Sequence, residues 1–447
     1  MGLTAPHRRP RTATARPGLA PRAAAARLLA QVLDDRRSLS ALLDGGDPLY
    51  AELPTRDRAL ARAIVATALR RHGEIAAVLD RLIARHPPAA GNLMRIVEIA
   101  AAQVLFMDVA DHAAVSLAID QVAADRDARR YKSLANAVLR RLAREREALT
   151  AGLDADGLDT PDWLWRRWCA AYGETAARRI AAAHRQEPPL DLSVKSDPDA
   201  WAVRLGGAVL STGTVRTVAA GPLEEMPGFA DGAWWVQDAA GALPARLFGD
   251  LAGKRVADLC AAPGGKTAAL CNAGAAVTAV DVSADRVTRL SANLARLGFA
   301  AETVVADVLQ WTPSEPFDAV LLDPPCTATG TIRRHPDIAW LKRPSDIAPL
   351  AEKQACMLDR AVELLKPGGT LVYCTCSLEP EEGENQCAAA LDRLPVRLVP
   401  IAAGEIGGIG EAIAGNGAIR TLPYHLAGPT PRLSGLDGFF VMRLRKG

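Results

Sequence analysis

The chain has 447 residues, 49% of them hydrophobic and 23% charged, with a formal net charge of +2. This length predicts two to four domains, and this composition excludes both a single small domain and wholesale disorder. No apolar stretch reaches the roughly 20 residues of a membrane span, and Arg27 interrupts the alanine run that could have formed a signal peptide. Eight cysteines are too few for a disulfide framework in a chain this long. We therefore expect a cytoplasmic protein without a membrane segment.

The charge is distributed unevenly along the chain. Residues 1–150 hold 24 basic and 16 acidic side chains, whereas the remainder holds 29 basic and 35 acidic ones. An excess of positive charge in one region is typical of a surface that binds a polyanion. The front part of the chain is therefore the expected docking region for nucleic acid.

The front part divides into a tail and a helical region. Residues 1–22 show no apolar period, which predicts a disordered basic tail. Residues 23–150 repeat apolar side chains about every 3.6 residues, which predicts an all-helical bundle. A run of eight basic side chains within 126–146 is typical of a solvated helix face, but the charge imbalance favours RNA contact; its members are Arg126, Arg129, Arg130, Lys132, Arg140, Arg141, Arg144 and Arg146.

A change of pattern marks the rest of the chain. Residues 155–235 predict a small α+β module, with a helix after Thr160 and short β-like runs at 190–194, 201–205 and 233–236. Residues 236–447 alternate short apolar strands with helices, which predicts an α/β domain with a doubly wound parallel sheet. Its predicted strands are 256–259, 276–280, 303–305, 319–322 and 370–373. Ligands of such sheets bind beyond the carboxyl ends of the strands.

The first three strand ends suggest a nucleoside site. The turn from Asp258 to Thr267 carries two glycines at a predicted helix N-terminus, although it lacks the glycine that a P-loop would have at position 260. Asp281 ends the second strand, where a carboxylate can accept hydrogen bonds from ribose hydroxyls in a dinucleotide or in S-adenosylmethionine. Asp307 ends the third strand, where it can accept from an adenine amino group.

The last two strand ends suggest covalent chemistry. They read Asp323-Pro324-Pro325-Cys326 and Cys374-Thr375-Cys376-Ser377. Adjacent parallel strands would bring Cys326 and Cys376 to the same sheet edge, and methylation of cytosine carbon 5 requires a thiolate to add first to carbon 6. A free cysteine is also often a small buried hydrophobe. Alternation along the strand does not separate Cys374 from Cys376, because both share one face.

These motifs resemble those of a known enzyme family. Residues 258–267, 323–326 and 375–377 are similar to motifs of the RNA cytosine carbon-5 methyltransferases of the NOL/NOP2/Sun family. Residues 23–148 resemble the NusB-like RNA-binding domain of its bacterial Sun/Fmu branch, as in the runs 111–115 and 136–141. That branch methylates 16S ribosomal RNA. The resemblance implies a class I, Rossmann-like methyltransferase domain, S-adenosylmethionine as cofactor, 16S ribosomal RNA as partner, a monomer and no metal.

The resemblance also implies roles for particular residues. Asp281 would bind the ribose, Asp307 the adenine side, and Asp323 both the cofactor and the target pyrimidine. Cys376 would be the nucleophile and Cys326 the group that assists its release. The cofactor loop would comprise Cys260, Ala261, Ala262, Pro263, Gly264, Gly265 and Lys266, the last also supporting catalysis. The sequence departs from the family at two places. Pro324 stands where the family usually has alanine, and Thr327-Ala328-Thr329-Gly330 replaces the commoner serine-rich version of the loop after Cys326.

Alternatives remain open from the sequence. The substrate could be a cytosine in transfer RNA or another RNA. A DNA cytosine methyltransferase would use Cys326 as the nucleophile, and an amino-methyltransferase would have an aromatic residue at position 326. A ribosome-assembly or antitermination factor with relic catalysis would bind RNA through the helical region alone.

Overall fold

The computed structural model describes residues 16–447 apart from residues 86, 88, 89, 219 and 220. The chain forms two compact units, Met1–Asp159 and Thr160–Gly447. Each unit is described by itself. Residues 1–15 of the predicted tail lie outside the described part of the chain.

The described part of the first unit is a bundle of helices. Helix α1 packs against α4, α6 and α7, and α8 packs against α5, α6 and α7. The α-helices are α1 Leu19–Leu33, α2 Leu39–Ala41, α3 Pro48–Ala51, α4 Thr55–Arg70, α5 His72–Leu82, α6 Leu93–Phe106, α7 Asp111–Ala124, α8 Lys132–Thr150 and α9 Ala155–Leu158. The core consists of the predicted apolar stripes, since Leu28, Val32 and Leu139 are fully buried.

The first helix begins inside the segment that the sequence predicts to be a tail. Helix α1 starts at Leu19, so the prediction of disorder over 1–22 is wrong for its last four residues. Pro21 lies in the first turn of this helix, where its missing N–H would have no intrahelical partner anyway. Proline is therefore compatible with this position.

The second unit begins with three helices and a small sheet. The helices are α10 Asp162–Tyr172, α11 Glu174–His184 and α12 Pro198–Arg204, and the strands are β1 Leu190–Val194, β2 Ala208–Val209, β3 Val215–Thr217 and β4 Trp234–Val236. The strands are antiparallel in the order β2-β3-β1-β4. The predicted β-like run at 201–205 is wrong, because Asp197 caps helix α12 there by accepting from the Ala200 N–H.

A large mixed sheet dominates the rest of the unit. Its strand order is β10-β12-β9-β8-β5-β6-β7, and β11 pairs with β12. Its strands are β5 Arg255–Leu259, β6 Ala276–Asp281, β7 Glu302–Val305, β8 Phe317–Leu322, β9 Leu365–Thr375, β10 Val396–Leu398, β11 Ile419–Thr421 and β12 Phe439–Lys446. Strands β5 to β9 are parallel to one another, as predicted. Strand β12, which the sequence analysis did not predict, is antiparallel to β9.

Helices cover both faces of this sheet. They are α13 Ala239–Arg246, α14 Gly265–Asn272, α15 Ala284–Leu297, α16 Asp337–Leu341, α17 Ile347–Glu363 and α18 Glu384–Arg393. Along β8, Ala319 and Leu321 join the core with α13 and α14. Val320 and Leu322 alternate to the core with α17 and α18. The result is the predicted α/β domain with helices on both faces of its sheet.

The strand order reverses at β5, which lies between β6 on one side and β8 on the other. The chain runs outward from β5 to β7 and then returns to β8. A crevice forms at such a switch point, outside the carboxyl ends of the strands. All residues with predicted chemistry in this unit lie at these strand ends.

Candidate active site

The loop after β5 contains residues in the left-handed backbone conformation. Gly264 has a φ of 100° at the start of helix α14, a left-handed conformation that other residues rarely adopt. Cys260 has a φ of 61°, and the peptide bond between Ala262 and Pro263 is cis. The Asn293 side chain donates to the Pro263 carbonyl at 2.9 Å. The loop is thus held close to the end of β5.

Asp281 at the end of β6 is almost fully buried. Its carboxylate accepts from the Ala262 N–H at 3.2 Å and from the Ser283 N–H at 3.1 Å. It also forms an ion pair with Arg286 at 3.2 Å. The carboxylate therefore links the loop after β5 to the start of helix α15.

Asp307 lies at the adjacent strand end. The Ala306 N–H donates to the Asp281 carbonyl at 3.1 Å, which places Asp307 one residue beyond the pairing of β6 and β7. Its carboxylate is partly exposed and accepts from the Leu309 N–H at 3.0 Å. Val282, Val305 and Leu309 expose large apolar side chains around these two carboxylates.

Asp258 is a site residue that the sequence analysis included only as part of a motif. The Thr267 hydroxyl donates to its Oδ2 at 2.6 Å, while Oδ1 is buried with no hydrogen-bond partner among the described residues. Burial raises the pKa of Asp258 to about 7. Only the structure indicates this, because an aspartate at a strand end is usually exposed or a helix cap.

Lys266 and Asp323 form an ion pair between α14 and the end of β8. The Lys266 Nζ donates to Asp323 Oδ2 at 2.7 Å. Burial acts to lower the pKa of Lys266, but the adjacent carboxylate of Asp323 outweighs it and the pKa is raised above its ordinary value. The ammonium therefore stays charged and orients the aspartate.

The structure brings Cys326 and Cys376 together, as the sequence analysis expected. Their Sγ atoms lie 3.5 Å apart. It also separates Cys374 from Cys376, because Cys374 is fully buried in the core on one face of the sheet. Cys376 follows the end of β9 and is partly exposed. Of the two cysteines on this face, only Cys376 is accessible to a substrate.

The environment of Cys376 favours the neutral thiol. The contact with Cys326 and then burial raise the pKa of Cys376 well above its ordinary value. Two sulfurs this close do not both ionise easily, because the second charge is repelled by the first. One thiol can therefore act as a nucleophile while its neighbour carries or accepts a proton.

The loop that carries Cys326 is held from two sides. The Gly330 N–H donates to the Cys376 carbonyl at 2.9 Å, and the Gly438 N–H donates to the Gly330 carbonyl at 2.8 Å. A Cβ atom at Gly330 would lie 1.9 Å from the Gly438 carbonyl oxygen. Only glycine fits at position 330, and the loop is thereby fixed against the residue preceding β12.

Further polar residues lie around the two cysteines, and the sequence predicted a role for none of them. They are buried and join the Cys326 loop to the segment after Cys376; they are Thr327, Thr329, Gln354, Ser377, Glu379 and Glu382. The acidic run from Glu379 to Glu382 was the available signal. Read by itself, such a run is typical of an exposed turn, so the sequence alone does not single it out.

The residues that the structure describes were also compared with the requirements of a metal site and of a membrane-spanning helix. Among them, no group of histidine, cysteine, aspartate or glutamate side chains is arranged to hold a metal ion. Within the same residues, no helix combines the length and apolarity that crossing a membrane requires.

Comparison with known proteins agrees with this architecture. Residues 250–445 match the family described as 16S rRNA methyltransferase RsmB/F. Residues 19–144 match the NusB family. A ribosomal RNA small subunit methyltransferase B from Klebsiella pneumoniae subsp. pneumoniae is 38% identical over 394 residues, which cover 84% of this chain and 90% of that protein.

Solved structures show similar folds. The crystal structure of PH0851 superimposes with a TM-score of 0.72 at 22% identity, over 95% of this chain and 99% of the other. A methyltransferase homolog protein from Pyrococcus horikoshii gives a TM-score of 0.52 at 29% identity, over 63% of this chain and 94% of the other. Because the Klebsiella relative spans most of both chains, the protein belongs to the RsmB/F family of small-subunit ribosomal RNA methyltransferases and carries a NusB-family helical region in its first unit.

Proposed function

We propose that this protein methylates carbon 5 of a cytosine in 16S ribosomal RNA, with S-adenosylmethionine as the methyl donor. The reaction proceeds through a covalent bond between Cys376 and carbon 6 of the base. The observation that carries this proposal is the pair of sulfur atoms 3.5 Å apart at the ends of two parallel strands. Cytosine carbon 5 needs one group to add to the ring and another to help reverse the addition, and this pair provides both.

The strand ends of β5 to β7 fit the methyl donor. Asp281 and Asp307 offer acceptors for the ribose hydroxyls and the adenine amino group, and exposed Val282 and Leu309 offer apolar surface for the purine. The buried Oδ1 of Asp258 has no hydrogen-bond partner in the described part of the chain and suits a cationic amino group. S-adenosylmethionine bound here supplies an electrophilic methyl group.

Cys376 begins the reaction on the base. Its thiol loses a proton and the sulfur adds to carbon 6, which leaves carbon 5 as the nucleophilic end of an enamine. Asp323, oriented by Lys266, accepts a hydrogen bond from the exocyclic amino group and holds the pyrimidine edge. The target base must be unstacked from its neighbours to reach this crevice, at a cost of a few kcal/mol.

Cys326 completes the reaction. After methylation, carbon 5 still carries its original proton. Cys326, once its own thiol proton has passed to water, takes the carbon-5 proton as a thiolate, and the bond between carbons 5 and 6 becomes double again. The bond from carbon 6 to the Cys376 sulfur breaks with its electron pair returning to sulfur, and this thiolate regains a proton from water. The products are 5-methylcytosine, S-adenosylhomocysteine, both thiols and one proton in water, which balances the positive charge lost by the methyl donor.

The first unit supports RNA as the substrate. Seven of the eight basic side chains within 126–146 are exposed, and only Arg146 is partly buried. Arg146 pairs with Asp111, and Arg141 and Arg144 pair with Glu145. A surface of this charge binds phosphates without reading sequence.

We propose that the enzyme acts as a monomer in the cytoplasm, where ribosomal RNA is made.

Bisulfite sequencing tests the proposal directly. Ribosomal RNA from cells with and without this protein is converted with bisulfite, which spares 5-methylcytosine. We expect one protected cytosine in 16S ribosomal RNA that is lost without the protein and restored by wild-type enzyme but not by a Cys376→Ala variant. Protection confined to transfer RNA, or methylation detected only on an amino group, would contradict it.

A further inference from the structure

One buried residue contacts the segments on both sides of the catalytic pair, with its side chain on one side and its main chain on the other. Glu382 lies in the short 3-10 turn Pro380–Glu382 after β9 and is fully buried, as is its neighbour Gln354 on α17. The mechanism above assigns no step to either residue. Their hydrogen bonds, however, converge on the residues that flank Cys326 and Cys376.

On the Cys326 side, the contacts bracket the cysteine. The Thr327 N–H donates to Glu382 Oε1 at 3.0 Å, and the Thr327 hydroxyl donates to Glu382 Oε2. The Gln354 amide donates both to Glu382 Oε1 at 2.9 Å and to the Pro325 carbonyl at 3.0 Å. The residues immediately before and after Cys326 are therefore tied to one carboxylate.

On the Cys376 side, the same residue acts through its main chain. The Glu382 carbonyl accepts from the Tyr373 hydroxyl at 2.8 Å and from the Thr375 hydroxyl at 3.2 Å. The Ser377 hydroxyl lies 2.9 Å from the Thr327 hydroxyl. Since the latter donates to Glu382, the serine donates to the threonine, and a continuous chain of hydrogen bonds crosses between the two cysteine segments.

We propose that Glu382 is a positioning residue that sets the separation and orientation of the two catalytic sulfurs. Its carboxylate fixes the Cys326 loop and its carbonyl fixes the end of β9, so one residue controls the geometry between Cys326 and Cys376. This inference rests on the proposed function for its catalytic consequence. The geometric part, the fixed distance between the sulfurs, does not depend on which base is methylated.

Glu382→Gln is the sharpest variant. It preserves size but replaces one accepting oxygen with an NH2 group, which then faces the N–H donors of Thr327 or Gln354. When two hydrogen-bond donors face each other in a buried environment, neither has an acceptor. The Cys326 loop then shifts, while the strand ends that would hold the methyl donor are untouched.

Glu381→Gln is the matched control. Glu381 lies one residue earlier in the same turn, is partly exposed, and pairs with Arg167 at 2.6 Å. Its carboxylate has no contact with the segments around Cys326 or Cys376 among the described hydrogen bonds. The same chemical change at this position removes a charge without altering the chain of hydrogen bonds.

Two readouts test the proposal on full-length protein. In single-turnover methylation with saturating RNA and S-adenosylmethionine, Glu382→Gln should be slower by roughly 10- to 100-fold, as expected for misplaced reacting groups, with an unchanged Kd for S-adenosylmethionine. In diamide, which removes two electrons and two protons from the thiol pair, the variant should form the Cys326–Cys376 disulfide more slowly than wild type. Glu381→Gln should match wild type in both.

Wild-type rates in both assays for Glu382→Gln would overturn the proposal. An equal loss of cofactor affinity and rate would also overturn it, since that pattern indicates a general structural role. If Glu382→Gln does not fold, Thr327→Val replaces it: this variant removes the hydroxyl link but retains the backbone bond, and it should slow both reactions severalfold. If wild-type enzyme makes no 5-methylcytosine, the proposed function fails, yet the disulfide assay still decides the role of Glu382.

Discussion

The carboxyl ends of the strands in the large sheet fall into two differently built halves. The half at β5 to β7, where we propose that the cofactor binds and which is called the cofactor half, contains Asp258, Asp281 and Asp307 and exposes apolar side chains beside them. The cysteine half, at β8 and β9, contains Cys326 and Cys376 and is cross-linked by buried hydrogen bonds. The first half exposes apolar side chains next to its carboxylates, whereas the second is held together by hydrogen bonds between protein groups.

This difference separates binding from chemistry. Groups in the cofactor half offer acceptors and apolar surface, so their loss should change affinity. Groups in the cysteine half hold reacting atoms at a set distance, so their loss should change the rate at saturation. A variant in one half that produced the effect expected of the other would break the comparison.

The largest effect should follow from replacing the two cysteines. Cys376→Ala should abolish methylation and form no covalent RNA complex, because no group remains to add to carbon 6. Cys326→Ala should methylate slowly and accumulate a denaturant-resistant RNA complex, because addition continues while release stalls. Denaturing gels with labelled RNA measure both. The reverse pattern would make Cys326 the nucleophile, and wild-type methylation by folded Cys376→Ala would refute the assignment.

A smaller effect is expected for Asp281→Ala in the cofactor half. Loss of its acceptors should weaken S-adenosylmethionine binding by about 1–3 kcal/mol, the range for buried groups left unpaired, while the rate at saturating cofactor changes little. Calorimetry measures the affinity. Asp285→Ala, which removes an exposed carboxylate at the start of α15, is the control. Unchanged affinity in a folded Asp281→Ala protein would remove Asp281 from the cofactor site.

The thiol pair should also control the pH dependence of Cys376. Because contact with Cys326 is the leading cause of the raised pKa of Cys376, its alkylation by iodoacetamide should be slow at pH 7 and rise as the pH increases. Cys326→Ala removes that contact and should move the midpoint to lower pH by about one unit. Mass spectrometry of Cys376 modification measures the profile. A midpoint that stays in place would show that burial alone sets it.

The last prediction concerns the free energy of unfolding rather than activity, and it involves Asp258 in the cofactor half. The pKa of Asp258 is raised from 3.8 to about 7. At pH values between these two, the carboxyl group is protonated in the folded protein but ionised in the unfolded chain. The stability from this proton is present below about pH 4 and lost as the pH rises to 7. The asparagine of Asp258→Asn needs no proton, so the stability of this variant relative to wild type should grow over this range and reach about 4 kcal/mol at pH 8.

Scanning calorimetry of Asp258→Asn at pH 4.5 and pH 8 measures this difference. Asp285→Asn, at an exposed position, serves as the control and should show no pH-dependent gain. An equal shift at both pH values would mean that the carboxyl of Asp258 is not the group that titrates.

Much of the arrangement was predictable because it depends on local pattern. Each predicted parallel strand is a short apolar run followed by a turn, and parallel neighbours necessarily end at the same edge. The sequence therefore predicts that Cys326 lies beside Cys376. The prediction of a β-strand at 201–205 was wrong because the apolar residues of this run are compatible with either a strand or a helix. The N-cap residue Asp197 favours the helix.

The support around the cysteines was not predictable. Glu382 and Thr327 are distant in sequence and meet only because β8 and β9 are adjacent. Strand β12 carries charged residues at its end and follows a long irregular segment, so its insertion beside β9 has no local sign. Contacts of this kind depend on the finished topology, which one sequence does not reveal.

The contact between Gly330 and Gly438 has a consequence for the order of protein synthesis. A ribosome makes Cys326 and Cys376 well before Gly438 and the strand β12 that follows it. Until those later residues emerge, β9 lacks its antiparallel neighbour and the Cys326 loop lacks the residue against which it packs. A nascent chain therefore carries both thiols without the geometry to use them. A translation product that stops before Phe439 is expected to methylate no RNA and to be prone to aggregate through the open edge of β9.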